Sequence, residues 1–367
     1  MNLSRRLPAE WEPQGAVLMA WPRSDGDWAP YLEAVRHCYQ ELCAAVVRHA
    51  PLLLLTDHPA DTSAALSPLQ HQLASKGQSE RLRLIESPAK DTWTRDYGPI
   101  TVLESASAPT TNPNPGEPAG LEAPLLLDFR FNGWGGKYQA GGDNLATAAA
   151  CAAGVFGATR RQELAMVLEG GSIESDGAGT LLTTSTCLLS PERNPDLDRC
   201  AIEAALIEHL GARRVLWLEH GQLAGDDTDA HIDTLVRFCD PQTLAYVRCD
   251  DPSDSHAQPL RALETELQQL RNLAGEPYRL VPLPWARARF APDDGRRLPA
   301  TYANFLILNG AVLMPSYNDP ERDQAAQKAL QLAFPNHQIE AIDCSALLLQ
   351  HGSLHCATMQ IPGAVFR

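Results

Sequence analysis

Residues 180–218 read TLLTTSTCLLSPERNPDLDRCAIEAALIEHLGARRVLWL, and this stretch decides how the chain folds. Its opening, TLLTTSTCLLS, is β-branched and apolar, as a buried strand requires. PERNPDLD is a turn rich in Pro and Asp. RCAIEAALIEHLG reads as a helix, with Asp198 at its start, where a carboxylate can cap free N–H groups. RVLWL is a second strand. Strand, turn, helix and strand together are the unit of an α/β architecture with helices packed on sheets.

The unit recurs. Residues 311–342, AVLMPSYNDPERDQAAQKALQLAFPNHQIEAI, repeat it with a DPER opening and Asp319 at the cap. Residues 243–284 carry a third copy, in which Leu260, Leu263, Leu267 and Leu270 keep helical spacing. Weaker copies cover 16–56 and 52–87, giving an irregular period of about 60–70 residues. No GxGxxG follows the first strand and no GxxxxGK[ST] occurs, so nucleotide binding is unsupported. Residues 105–124, SASAPTTNPNPGEPAGLEAP, read as a mobile surface insertion. No boundary divides the core, and residues 1–367 are expected to form a single catalytic domain.

Composition narrows the function classes. The 367 residues are 44% hydrophobic and 20% charged, which is globular. No uncharged apolar run approaches the roughly 18–20 residues that span a bilayer. Arg5 and Arg6 are not followed by an apolar core, so no secretory signal and a cytoplasmic location are expected. The formal charge of −15 disfavours nucleic acid and anionic lipid as partners and favours small cations. Nine cysteines without a CxxC pair read as free, mostly buried thiols.

Four clusters concentrate reactive side chains. TWTRDYGPI (92–100) places Asp96 before a Gly-Pro turn, where it faces a pocket or forms an ordinary surface pair with Arg95. Trp93 beside it is a core residue or a wall for a planar cation. LEGGSIESDG (168–177) sets Glu169 before two glycines that permit close approach. In GDDTDAHIDTLVRF (225–238), a strand reading puts His231, Asp233 and Leu235 on one face, with Asp226, Asp227 and Asp229 around them. The surrounding carboxylates lack the sixth-position glycine of an EF-hand. QHGSLHCATMQIP (350–362) holds His355-Cys356 close to the C-terminus, implying that this end docks onto the fold, with Gly352-Ser353 as the turn. A zinc site from His351, His355, Cys356 and His231 is the competing reading. Adjacent positions 355 and 356 suit one ion poorly, and no CxxC or HExxH supports it.

In this order, W-x-R-D-x-G-P (93–99), F-N-G-W-G-G (131–136), L-E-G-G-S-I (168–173), D-x-T-D-x-H-I-D (226–233), Y-x-N-F (302–305) and L-H-C (354–356) resemble the agmatine deiminase family. That family is related to bacterial peptidylarginine deiminases within the guanidino-group-modifying superfamily. The resemblance implies a five-bladed, pseudo-symmetric α/β propeller, with the repeats as blades. It implies Cys356 as nucleophile and His231 as general acid/base, with Asp96 and Asp233 holding the guanidinium. Glu169 would support the histidine and substrate. Trp93 and Asp227 join Asp96 and Asp233 as substrate-binding candidates, with Asp226 or Asp227 expected at the amine end. No metal or organic cofactor is implied. Two departures from the family pattern stand out: Gln350-His351-Gly352-Ser353 where glycines are frequent, and Ala230 where glycine is common.

The chemistry suits these residue types. A guanidinium carbon is a poor electrophile, and a thiolate divides its hydrolysis into two easier displacements. Paired carboxylates match the planar donor fork. The expected reaction is agmatine plus water to N-carbamoylputrescine and ammonia, a step of putrescine and polyamine biosynthesis, through a covalent thiouronium on Cys356. Alternatives are deimination of arginine, peptidyl-arginine or a methylated arginine, amidino transfer, a zinc-dependent amidohydrolase, or a non-catalytic partner-binding propeller. Self-association into a homo-oligomer stays open.

Overall fold

The computed structural model describes residues 3–106 and 122–366. Most of the expected insertion at 105–124 therefore lies outside the described residues. Its ends belong to strands Ile100–Ala106 and Ala123–Arg130, which pair antiparallel with Ile100 opposite Leu127.

The repeated unit is present, although its first strand is shorter than TLLTTSTCLLS, because Ser185–Leu188 forms a short helix capped by the Thr184 side chain. Strand Thr180–Thr184 leads through helix Arg199–Leu210 to strand Arg214–Leu218, and the two strands pair in parallel. Asp198 accepts the Ala201 N–H at 2.9 Å and Asp319 accepts the Arg322 N–H at 3.3 Å, so both carboxylates cap their helices. Helix Ala257–Gln269 buries Leu260, Leu263 and Leu267, each stabilising the fold by about 1.5–3 kcal/mol. In five sheets a central strand has one antiparallel neighbour and one parallel neighbour reached through a helix.

The expected five-bladed propeller is not what these strands make. Among the described residues there are six separate sheets of four, three, three, two, three and four strands, and none is closed on itself. The hairpin of Arg289–Phe290 with Arg297–Leu298 is a sheet of its own, and Leu3–Arg6 and Leu82–Glu86 add edge strands to two others. Among the described residues no ladder joins one sheet to the next. The architecture is an α/β fold of several small mixed sheets with helices.

Two features of this fold position the site. Strand Met359–Pro362 pairs antiparallel with Gln14–Ala20, Met359 opposite Leu18, which docks the C-terminal segment onto the N-terminal sheet. The Thr94 hydroxyl donates to the carbonyls of Leu18 and Ala357, and the Cys356 carbonyl accepts the Arg95 N–H at 3.2 Å. These bonds lock the segments around residues 95 and 356 together. All nine cysteines are free. Among the described residues, no helix is long and apolar enough to cross a membrane.

Candidate active site

Cys356 is buried at the floor of a pocket walled by the rings of Trp93, Trp134 and Tyr138. Its Sγ lies 3.4 Å from Asn304 Oδ1 and 4.0 Å from Asp233 Oδ2. Asn304 Oδ1 also accepts the backbone N–H groups of His355 and Cys356, at 2.9 and 3.3 Å, which fixes the turn carrying the thiol. Asp96, in the short helix Thr94–Tyr97, accepts the Trp134 indole N–H at 2.9 Å through Oδ2 and the Gly171 N–H at 3.0 Å through Oδ1. Arg95 is also buried and turns the other way, donating to Gln360 at 2.6 Å, so residues 95 and 96 are not a surface pair.

His231 and Asp233 are both buried in the site, although the strand expected for them is not there. Ile232–Thr234 is a 3₁₀ turn, and strand Val236–Asp240 begins later. The alternation of polar and apolar residues reads the same for either conformation. His231 Nδ1 stands 3.6 Å from Asp96 Oδ1. Among the described residues, neither its ring nitrogens nor Asp233 Oδ1 has a hydrogen-bond partner.

The absence of a side chain at residue 171 makes the convergence of these groups feasible. A Cβ there would lie 2.7 Å from His231 Nδ1, 2.8 Å from Asp96 Oδ1 and 3.1 Å from Asp233 Oδ2. The second glycine of the LEGGSI motif thus serves close packing of three polar groups. Gly352 is constrained similarly: its Cβ would meet the Trp93 ring at 2.5 Å, so the turn before Cys356 packs directly on the indole.

Glu169 does not touch His231 through a hydrogen bond. It accepts the Arg193 Nε–H at 2.9 and 3.0 Å, and Arg193 continues to Asp229 and to the Thr228 carbonyl. This buried guanidinium bolts Glu169 to the loop before His231. Asp226 is a loop builder, accepting N–H groups of Thr228 and Ala230 at 3.1 and 2.7 Å. Asp227 lines the pocket mouth and accepts the Tyr138 hydroxyl at 2.8 Å. Ala230 has φ +66, a left-handed conformation suited to the glycine common there in the resembled family.

Electrostatics sets the resting charges. Burial pushes the Cys356 thiol well above its ordinary value, and the Asp233 and Asp96 carboxylates push it the same way. Burial also raises Asp96, with Asp233 and Glu169 adding to the effect. Burial pushes His231 down to about 3, against the pull of Asp233. For Asp233, burial opposes ionisation, but the hydrogen bond and charge of His355 prevail and hold its carboxyl below the usual range. A neutral thiol and a neutral imidazole therefore flank the carboxylates, and a cation placed among them favours every anionic form.

Two trios of metal-competent donors occur among the described residues: Glu169, Cys187 and His231, and Glu10, Glu174 and His355. Neither matches the zinc set read from the sequence, whose His351 instead bonds the Gly225 carbonyl at 2.7 Å. Their carboxylates are engaged by Arg193 and Arg237, which disfavours a metal in either place. Sequence reasoning assigned no role to Glu10, Trp134, Arg193, Asn304 or His355 within this constellation. Trp134 and Asn304 lie in the F-N-G-W-G-G and Y-x-N-F motifs, and that was the signal pointing to them.

A thiol, an imidazole and two carboxylates on this α/β fold define a member of the guanidino-group-modifying superfamily that contains agmatine deiminases and bacterial peptidylarginine deiminases. The model of the Porphyromonas-type peptidyl-arginine deiminase family matches residues 6–362, and the chain belongs to that family. Similar solved structures include the Porphyromonas gingivalis "Putative Arginine Deiminase", 46% identical, covering 98% of each chain with a TM-score of 0.85. The C. jejuni agmatine deiminase with substrate bound is 32% identical, covers 98% of this chain and 97% of its own, and has a TM-score of 0.84. The agmatine deiminase of Stutzerimonas stutzeri is 31% identical over 98% of this chain and 96% of its own length.

Proposed function

We propose that this chain hydrolyses a guanidino group, releasing ammonia and a ureido product, and that agmatine is its substrate. The observation that carries the reading is a buried thiol with two buried carboxylates and an imidazole converging beside it. Asp96 and Asp233 grip the guanidinium nitrogens, and the planar cation lies against Trp93 and Trp134.

With the cation in place, the Cys356 proton passes to His231 and the thiolate adds to the guanidinium carbon. The imidazolium then gives its proton to one nitrogen of the tetrahedral adduct, the C–N bond breaks and ammonia leaves. A thiouronium remains on Cys356. His231 takes a proton from water, hydroxide adds to the same carbon, and the C–S bond breaks as the hydroxyl proton passes to sulfur, giving the ureido product and the free thiol. The imidazolium gives its proton up with the ammonia, as ammonium. Alignment of sulfur and carbon by the carboxylates supplies the proximity term, and His231 supplies about 10²–10⁴-fold through general acid/base action.

The mouth of the pocket supports the choice of substrate. Asp27 and Asp227 line the pocket, as does Asp91, whose carboxyl burial pushes up to about 7, and among the described residues no Lys or Arg side chain does. A second cation, as in agmatine, fits such a rim, whereas the carboxylate of free arginine meets like charge. Ammonia and ureido product are to be measured from agmatine, arginine and a blocked arginine peptide, with and without a strong chelator. Preference for agmatine is expected; equal rates on all three overturn the substrate assignment. Loss of activity with chelator, restored by zinc, overturns the metal-free mechanism.

A further inference from the structure

We infer that His355 is a positioning residue for this reaction, holding Asp233 by one oxygen so that the other is presented to the guanidinium; this rests on the deimination reading above.

The two ring nitrogens of His355 face two carboxylates. Nδ1 lies 2.7 Å from Asp233 Oδ2, and Nε2 lies 2.7 Å from Glu10 Oε2. Carboxylate oxygens accept, so both nitrogens serve as donors when both acids are ionised. Glu10 is itself held: Arg237 donates to Oε2 at 2.8 Å, and the Ile307 N–H donates to Oε1 at 2.7 Å. Arg237 also pairs with Glu174, which accepts the Phe238 N–H at 3.1 Å. The ring of His355 is thus clamped through Glu10, which Arg237 and the Ile307 backbone hold in turn. Its grip on Oδ2 leaves Asp233 Oδ1 buried and without a partner among the described residues, and an orphaned buried acceptor is costly unless a ligand supplies the donor.

Other charges also face Asp233: His231, Asp96 and Cys356 from the site, and Arg95 and Arg237 from behind. Among the first three, Asp96 disfavours ionisation of Asp233. Without His355, the Asp233 carboxyl rises, and the acidic limb of kcat/KM moves to higher pH.

The test is calorimetric binding of agmatine to Cys356→Ala protein, alone and combined with His355→Leu or His355→Asn. The side-chain amide of Asn retains a donor near the Nδ1 position, and Leu retains none. The expected dissociation constant rises about 100-fold with Leu and about threefold to tenfold with Asn. In proteins retaining Cys356, the acidic limb shifts upward in both variants. Should the Leu variant not fold, the Asn variant decides by the same two readouts. Unchanged affinity and an unchanged acidic limb overturn the inference, even if kcat falls, because a merely structural residue leaves both in place. Failure of the Cys356→Ala protein itself to bind agmatine, arginine or the blocked arginine peptide overturns the deimination reading and the inference with it.

Discussion

Trp134 donates its indole N–H to Asp96 Oδ2 at 2.9 Å from a left-handed backbone, φ +53 and ψ +51, between two glycines. The unusual conformation aims the ring at the carboxylate and makes it a pocket wall at the same time. Trp134→Phe keeps most of the wall and removes the donor. Steady-state assays should show kcat/KM lowered about 10–100-fold, the range for a lost hydrogen bond to a charged group. Unchanged kinetics would count against Asp96 as a substrate ligand.

Gly171→Ala adds one methyl group where three polar atoms already crowd the Cα. Displacing reacting groups by about 1 Å costs on the order of 100-fold in rate. The variant should fold, with circular dichroism unchanged, and lose at least that much kcat/KM. Full activity would show that His231, Asp96 and Asp233 do not act from these positions.

The raised Cys356 thiol predicts slow alkylation of the empty protein by a neutral reagent. The rate should climb about tenfold per pH unit from 7 to 9, following the thiolate fraction, with no plateau. A plateau near pH 7, measured by mass spectrometry of the Cys356 peptide, would reveal a preformed thiolate. Cys356→Ala should abolish turnover, and His231→Gln, lacking the proton carrier of both half-reactions, should slow formation of the thiouronium as well as its hydrolysis, followed as added mass on that peptide.

His231 links stability to acidity. Its folded pKa is depressed to about 3 by burial, whereas the unfolded imidazole has its ordinary value of 6.5. Between those values the unfolded chain binds the extra proton, so stability is full above about 6.5 and is lost as pH falls toward 3. Urea denaturation of wild type and His231→Gln from pH 6 to 4 should diverge in favour of the variant by about 1.4 kcal/mol per pH unit. Parallel curves would mean that the imidazole charges freely in the folded protein.

The sequence makes Cys356, His231, Asp96, Asp233 and Glu169 legible because each lies in a short, dense cluster of reactive residues. The residues that hold them are harder to read. Trp134 reaches Asp96 across 38 positions, and Glu10 reaches His355 across 345. Neither helical nor strand periodicity carries information over such spans. The same limit applies to the fold: strand–helix–strand units and their caps follow from local pattern, whereas the relation of one sheet to another depends on contacts that no repeat length encodes. The misread strand at 231–235 is a local failure instead, because a tight turn buries His231 and Asp233 just as one face of a strand would.

Glu10 contacts Arg237, His355 and the backbone of Ile307, residues belonging to three distant parts of the chain. The alignment of the reacting atoms is therefore a property of the whole tertiary scaffold. Transplanting the short Cys- and His-bearing motifs into another host would carry over the reagents and leave behind the jig that aims them.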